Sequence, residues 1–257
     1  MNAAKLLPGK FVWFEHASRD AKKAQAFYGE VFGWKVSSFP ISEGSYDMIA
    51  AGDAMIGGYD VRRVREGEPA HWRSVMSVAN VDATAKAAAG AGGKLIDAPA
   101  DMPQVGRFAR IADPLGAELS LLTSFTDDPP DAIATHGRWL WNELHTGDPA
   151  RSVAFCEKVL GYSVRAQDMG PAGTYHVLSQ GGVDRGGVTA HGAGETSYWL
   201  PYVSVDDADA TIARAQRLGA KIDVPATDIP GIGRFGVFTD PTGATLAVMK
   251  PSPSMPK

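Results

Sequence analysis

The chain holds a single cysteine, Cys156, among 257 residues, so no disulfide can form within it. Cys156 stands beside Phe155 in a helical pattern and reads as a small buried hydrophobe rather than a reactive thiol. No stretch approaches the ~18 consecutive apolar residues of a membrane helix. Met1 to Gly9 lacks both a long apolar run and an A-x-A cleavage pattern, so no secretory leader is visible. There is no basic run, and the net charge is −4, which argues against nucleic acid as a partner. The acidic excess is too mild for an acidic tail. These absences leave a soluble protein as the expectation, placed in the cytoplasm by default. The length suits two domains, each large enough to bury a core.

The chain is a duplication. Residues 11–36 and 139–164 align, with Trp13 on Trp141, Glu15 on Glu143, Asp20 on Asp148, Phe27 on Phe155 and Gly33 on Gly161, all 128 positions apart. Gly57-Gly58 falls on Gly186-Gly187, Trp72 on Trp199, Gly106-Arg107-Phe108 on Gly233-Arg234-Phe235, and Asp113-Pro114-x-Gly116 on Asp240-Pro241-x-Gly243. A period this long is a repeated domain and not a solenoid. The polar, proline-bearing segment Thr126 to Gly137 reads as a linker. The expected domains are residues 1–125 and 138–257.

Within the first copy, Phe11 to Ala17 reads as a strand. Asp20 caps a helix that reaches Phe32, with Ala24, Phe27, Tyr28 and Val31 at helical spacing and Gly33 as the stop. Strands are expected over Trp34–Phe39, Tyr46–Ala51 and Ala54–Tyr59, separated by turns at Glu43-Gly44-Ser45 and Gly52-Asp53. The pattern then restarts: strand His71–Val78, an Ala-rich helix from Asp82, and strands at Lys94–Ala98, Arg107–Ala112 and Ala117–Leu122. The second copy repeats the scheme, with Asp148-Pro149 opening one helix and a second spanning Asp206 to Gly219. Each copy is therefore α+β, two βαβββ units able to curl around a cleft.

The run from Asp20 through Phe27-Tyr28 to Phe32-Gly33-Trp34, and the closing D-P-x-G-x-x-L strand from Asp113, resemble the vicinal-oxygen-chelate superfamily of glyoxalases, bleomycin-resistance proteins and dioxygenases. Both signals occur twice and cover nearly the whole chain. The double glycines and the G-R-F motif resemble a metal-poor group of two-domain members. The resemblance implies tandem domains, each a half-open barrel, and a chain that folds as a monomer with pseudo-twofold symmetry. It also implies metal-ligand positions, which fall on Trp13 and Trp141, Arg73 and Leu200, and Ser120 and Ala247, with a fourth near the glycine pairs. None of these is a usual ligand set, so no metal and no cofactor is expected.

Strand alternation puts Trp13, Glu15 and Ala17 on one face, and Trp141, Glu143 and His145 on the matching one. Glu15 and Glu143 are thus the candidate catalytic residues. Each is either a structural partner of an arginine, with Arg107 and Arg234 the repeated candidates, or an acid, base or anchor in the cleft. Arg73 and Glu118 share the first cleft by strand parity. The candidate ligand-binding set is Trp13, Arg73, Glu118, Arg107, Trp141, His145, Tyr202 and Arg234. His71 is expected to be a surface or capping residue. Two functions fit: a metal-independent binder of a small aromatic or mixed polar–apolar molecule, or a glyoxalase-type lyase or dioxygenase-like enzyme whose metal is displaced towards Glu143 and His145.

Overall fold

In the computed structural model, residues 4–41, 44–64, 66–192 and 196–253 are described; Glu43 of the expected first turn lies outside them. The βαβββ pattern occurs four times. The first copy runs β1 (Phe11–Ala17), α1 (Ala21–Phe32), β2 (Lys35–Ile41), β3 (Gly44–Ala51), β4 (Ala54–Asp60), then β5 (His71–Ser77), α2 (Val81–Gly90), β6 (Lys94–Met102), β7 (Gly106–Ala112) and β8 (Glu118–Ser124). The second runs β9 (Trp139–Thr146), α3 (Pro149–Phe155), β10 (Ser163–Asp168), β11 (Thr174–Gln180), β12 (Val183–Ala190), then β13 (Tyr198–Ser204), α4 (Ala208–Arg217), β14 (Lys221–Ile229), β15 (Gly233–Thr239) and β16 (Thr245–Pro251). Each copy forms one eight-stranded sheet, ordered β2-β3-β4-β1-β5-β8-β7-β6 and β10-β11-β12-β9-β13-β16-β15-β14.

Local chemistry sets the helix boundaries. Asp20 accepts from Lys23 N at the start of α1, and Gly33 closes it at φ 71°, a conformation glycine adopts without a Cβ penalty. Asp148 caps α3 in the same way with Pro149 in its first turn. The two later helices start slightly off expectation: Asn80 caps α2 and Asp207 caps α4. Helix α3 passes directly into a π-helical turn, Cys156–Leu160, which α1 lacks. Cys156 is buried there. Among the described residues, no helix is long and apolar enough to cross a membrane.

The chain forms two compact units, and neither coincides with a copy. One comprises residues 1–12, 74–131 and 142–199; the other comprises 13–73, 132–141 and 200–257. Each therefore takes its helices from both copies. The first is built on Met76, Val81, Ala88, Ile111, Leu121, Leu144, Phe155 and Trp199. The second is rich in rings: Trp72 contacts Tyr28, Trp34 and Trp139 edge-on at 5.1–6.0 Å. Edge-on pairs add about 0.5–1.5 kcal/mol beyond their buried area. Among these rings His16 is fully buried, its Nε2 2.9 Å from Asp240 Oδ2.

Candidate functional site

The glycine pairs explain themselves first. On β4, a Cβ at Gly57 would stand 2.4 Å from the Phe14 carbonyl oxygen, and one at Gly58 would stand 2.2 Å from the Tyr46 hydroxyl oxygen. On β12, a Cβ at Gly187 would stand 2.0 Å from the Tyr175 hydroxyl oxygen. Each pair lets a strand approach closely and lets a tyrosine lie across its neighbour.

That tyrosine reaches Glu15 in the first copy. Trp13 Nε1 donates to the Tyr46 hydroxyl at 3.1 Å, and Tyr46 donates to Glu15 Oε1 at 3.0 Å. Arg63 Nη2 donates to both Glu15 oxygens at 3.0 and 3.1 Å, and its Nε donates to Asp60 Oδ2. Arg73, buried, adds a second guanidinium: Nη1 donates to Asp60 at 2.8 Å, Nη2 to the Arg63 carbonyl, and Nε to His71 Nε2. His71 Nδ1 faces the Pro69 carbonyl at 3.0 Å, so the ring serves as a relay between arginine and backbone. Burial pushes the Tyr46 hydroxyl well above its ordinary value, and the adjacent Glu15 charge adds to this. Burial opposes ionisation of Asp60, yet Arg63, backbone N–H groups and Arg73 hold it below the usual carboxylate range. Two carboxylates and two guanidinium groups thus neutralise one another. Glu15 is enclosed and saturated.

The second copy keeps the glutamate and changes its surroundings. Its repeat positions replace Asp60 by Thr189, Arg63 by Gly192, Arg73 by Leu200, Ala17 by His145 and His71 by Tyr198. Glu143 Oε1 lies 2.8 Å from His145 Nε2. The ring N–H is not aligned on the carboxylate, so Nε2 is buried without a formed hydrogen bond; the contact is electrostatic. The His145 ring stacks on Tyr198 at 5.0 Å and 11°, and His191 meets Tyr198 edge-on at 5.4 Å. Tyr198 is 36 % exposed.

The expected pairing of Glu15 and Glu143 with Arg107 and Arg234 is corrected. Arg107 grips Asp82 at the start of α2 through Nε and Nη2, and Asp101 through Nη1 at 2.9 Å. Arg234 likewise grips Asp209 at the start of α4 and Asp228. The G-R-F motif is thus a surface clamp between a hairpin and a helix N-terminus. Both arginines are engaged in these clamps rather than with the two glutamates.

The remaining candidates divide. Glu118 and Asp97 flank the buried Arg110, with Glu118 Oε2 3.4 Å from Nη1 and Asp97 Oδ2 3.0 Å from Nε. Tyr202 is buried with Leu200, Val237, Ala247 and Met249, and Trp141, Val224 and Phe235 pack against that cluster. The donor set does not fit a divalent ion. An indole N–H and a guanidinium carry no lone pair for a metal, Leu200 and Ala247 sit in an apolar cluster, and Ser120 offers one neutral hydroxyl. Among the described residues no group of three His, Cys, Asp or Glu side chains could hold one.

Known proteins resemble the chain over nearly its full length. The family model described as Glyoxalase/Bleomycin resistance protein/Dioxygenase superfamily matches residues 139–248, and that described as bleomycin resistance protein-like N-terminal matches 10–52. CFP32 of Mycobacterium bovis, whose name assigns it provisionally as a glyoxylase, is 32 % identical over 251 residues, covering 94 % of each chain. The anthracycline biosynthesis protein DauV of a Streptomyces species is 28 % identical, covering 95 % of this chain and 94 % of its own. In structure, 2,2',3-trihydroxybiphenyl 1,2-dioxygenase from Sphingomonas wittichii superimposes with TM-score 0.63 at 15 % identity, over 97 % of this chain and 91 % of that one. The Mn(II)-bound glyoxalase from Novosphingobium aromaticivorans gives 0.61 at 17 % identity, over 95 % and 82 %. At such identities the structural likeness speaks for the fold alone.

Proposed function

The chain belongs to the glyoxalase/bleomycin resistance protein/dioxygenase superfamily, and from that premise we propose that it binds a small, planar, hydroxylated molecule without a metal, at Glu143 and His145 of its second copy. The carrying observation is the group beside each glutamate. Arg63 bonds both oxygens of Glu15, whereas the His145 Nε2 beside Glu143 is buried without an aligned hydrogen bond. Buried polar atoms left without a partner are costly and are expected to serve some purpose. A ligand hydroxyl placed between them would donate to Glu143 and accept from His145 Nε2–H in the tautomer that carries it. The exposed Tyr198 ring, already stacked on His145, offers a π-face to a flat ligand. The naming of DauV for anthracycline biosynthesis favours the same chemistry, since anthracyclines are planar and hydroxylated. The first copy, on this reading, is a neutralised scaffold.

Titration with alizarin, a planar hydroxyanthraquinone, followed by tryptophan fluorescence, tests this. Binding should survive EDTA. Glu143→Gln should weaken it about tenfold or more, the scale of one hydrogen bond to a charged group, while Glu15→Gln should leave the Kd unchanged. Equal binding by the wild type and Glu143→Gln would refute the assignment. The second reading, a lyase or dioxygenase with a displaced metal, rests on the same carboxylate–imidazole pair with the His191 ring 6.1 Å from that of His145. It requires a stoichiometric divalent ion whose removal abolishes turnover.

A further inference from the structure

Tyr175 stands where the first copy places a donor to its glutamate. On β12, Gly187 pairs in register with Glu143 on one side and with Val177 on the other. These three positions share one face of the sheet, and Tyr175, two residues from Val177 on β11, shares it too. A Cβ at Gly187 would stand 2.0 Å from the Tyr175 hydroxyl oxygen, so the phenol crosses β12 in the row that leads to Glu143. The first copy has the same row. Met48, Gly58 and Glu15 are in register, Tyr46 lies two residues from Met48, and a Gly58 Cβ would stand 2.2 Å from the Tyr46 hydroxyl oxygen. There the hydroxyl donates to Glu15 Oε1 at 3.0 Å.

Packing alone does not account for this arrangement. Glycine is a poor strand residue, and at Gly187 the atom nearest the absent Cβ is the hydroxyl oxygen, followed by Cζ at 2.3 Å. Room has been made for the polar tip, which a ring that only filled space would not carry. The surroundings decide what the tip is for. In the first copy Arg63 donates to both Glu15 oxygens, so Tyr46 adds a bond to a carboxylate that is already fixed. The second copy has Gly192 at the position of Arg63, which brings no side-chain donor. His145 Nε2 faces Glu143 Oε1 at 2.8 Å without alignment. A tyrosine hydroxyl in that row can set the plane of the Glu143 carboxylate.

An ionised carboxylate only accepts, and it offers about four lone-pair sites. One O–H from Tyr175 therefore still leaves a ligand room to bond. It also fixes what the ligand must bring. With the carboxylate held by a donor on the protein side, a ligand group without a hydrogen of its own would set lone pair against lone pair. We propose that Tyr175 positions Glu143 and through it makes the second-copy site demand a hydrogen-bond donor from its ligand. The inference rests on the Glu143 reading and adds to it the residue that gives the site its selectivity.

The test uses the full chain with alizarin and with its dimethyl ether, which cannot donate. The wild type should prefer alizarin by about tenfold or more. Tyr175→Phe keeps the ring and should cut that preference by about threefold or more, through weaker alizarin binding. In a Glu143→Gln background the preference should already be lost, and Tyr175→Phe should not lower it further. Equal loss of affinity for both probes, or the same loss in both backgrounds, would mark a packing role and overturn the proposal. Alizarin bound equally by the wild type and Glu143→Gln would instead remove the premise, and the selectivity with it. A measurement without ligand decides the positioning. In carbon NMR of protein with isotope-labelled glutamate, the Glu143 carboxylate resonance is the one absent from Glu143→Gln. It should move in Tyr175→Phe by more than the Glu15 resonance does. An unmoved Glu143 resonance overturns the proposal whatever the ligand does.

Discussion

The buried pair of His16 and Asp240 permits a quantitative test, because the repeat contains its own control. The position equivalent to His16 is Leu144, and the position equivalent to Asp240 is Asp113. Asp240 Oδ1 accepts from Thr242 N and Oγ1, Gly243 N and Ala244 N, while His16 occupies Oδ2. Burial opposes ionisation of Asp240, but His16, Thr242 and Tyr28 hold its carboxyl below the usual range. Asp113, with no imidazole, is raised by burial despite its backbone N–H bonds and Ser152. Replacing His16 with leucine should move Asp240 towards the setting of Asp113. Breaking a buried pair outright costs about 3–5 kcal/mol. Here four donors remain on the other oxygen, so the loss should approach that of one charge-assisted hydrogen bond, ~2 kcal/mol near pH 7. A depressed folded value stabilises the fold above the unfolded carboxylate value of ~3.9 and loses that contribution as pH falls through the folded value. The deficit of His16→Leu should therefore shrink in acid. Urea unfolding at about pH 7 and about pH 3 measures both. A deficit of the same size at both values would show that the imidazole contributes packing and not charge.

Three further outcomes follow from the same geometry. Gly58→Ala must displace the Tyr46 ring, so overpacking of about 1–3 kcal/mol adds to a lost bond on Glu15; a Tm equal to wild type would contradict the close approach. Glu15→Gln should lower the Tm, because it leaves Asp60 alone against the two guanidinium groups of Arg63 and Arg73, whereas Glu143→Gln should leave the Tm within a degree or two, as read by calorimetry. Arg107→Ala and Arg234→Ala should leave alizarin binding unchanged, because both side chains are solvent-exposed clamps; a weakened Kd would return them to the site.

The sequence carried the architecture because its signals were local and doubled. Asp20 and Asp148 with the glycines that follow fix two helices, and the repeat fixes the rest. It carried the site less well, for a definable reason. Arg63 lies in a turn whose counterpart is Gly192, so matching residues between the copies passes over it and settles on Arg107, which is repeated but belongs to a surface clamp. His16 escaped in the same way, since its counterpart is leucine. Arg110 was also missed, although the contrast with Val237 is visible in the sequence: a charged residue facing an apolar one at the same repeat position. In a duplicated chain, the positions where the copies disagree in polarity hold more of the chemistry than those where they agree.

The interleaving of the two compact units bears on how the chain reaches its folded state. One unit needs residues from 1 to 199, and the other needs residues from 13 to 257. On a ribosome the first cannot close until about half of the second copy has been made, and the second cannot close until the last strands of that copy have been made. The first copy, once emerged, holds two helix-bearing halves whose packing partners do not yet exist. Closure over such sequence separations is slow, and the apolar faces of α1 and α2 stay open to wrong partners in the interval. Each compact unit draws on residues from both sides of position 131, so a protein cut there should recover its full structure only when the halves are mixed.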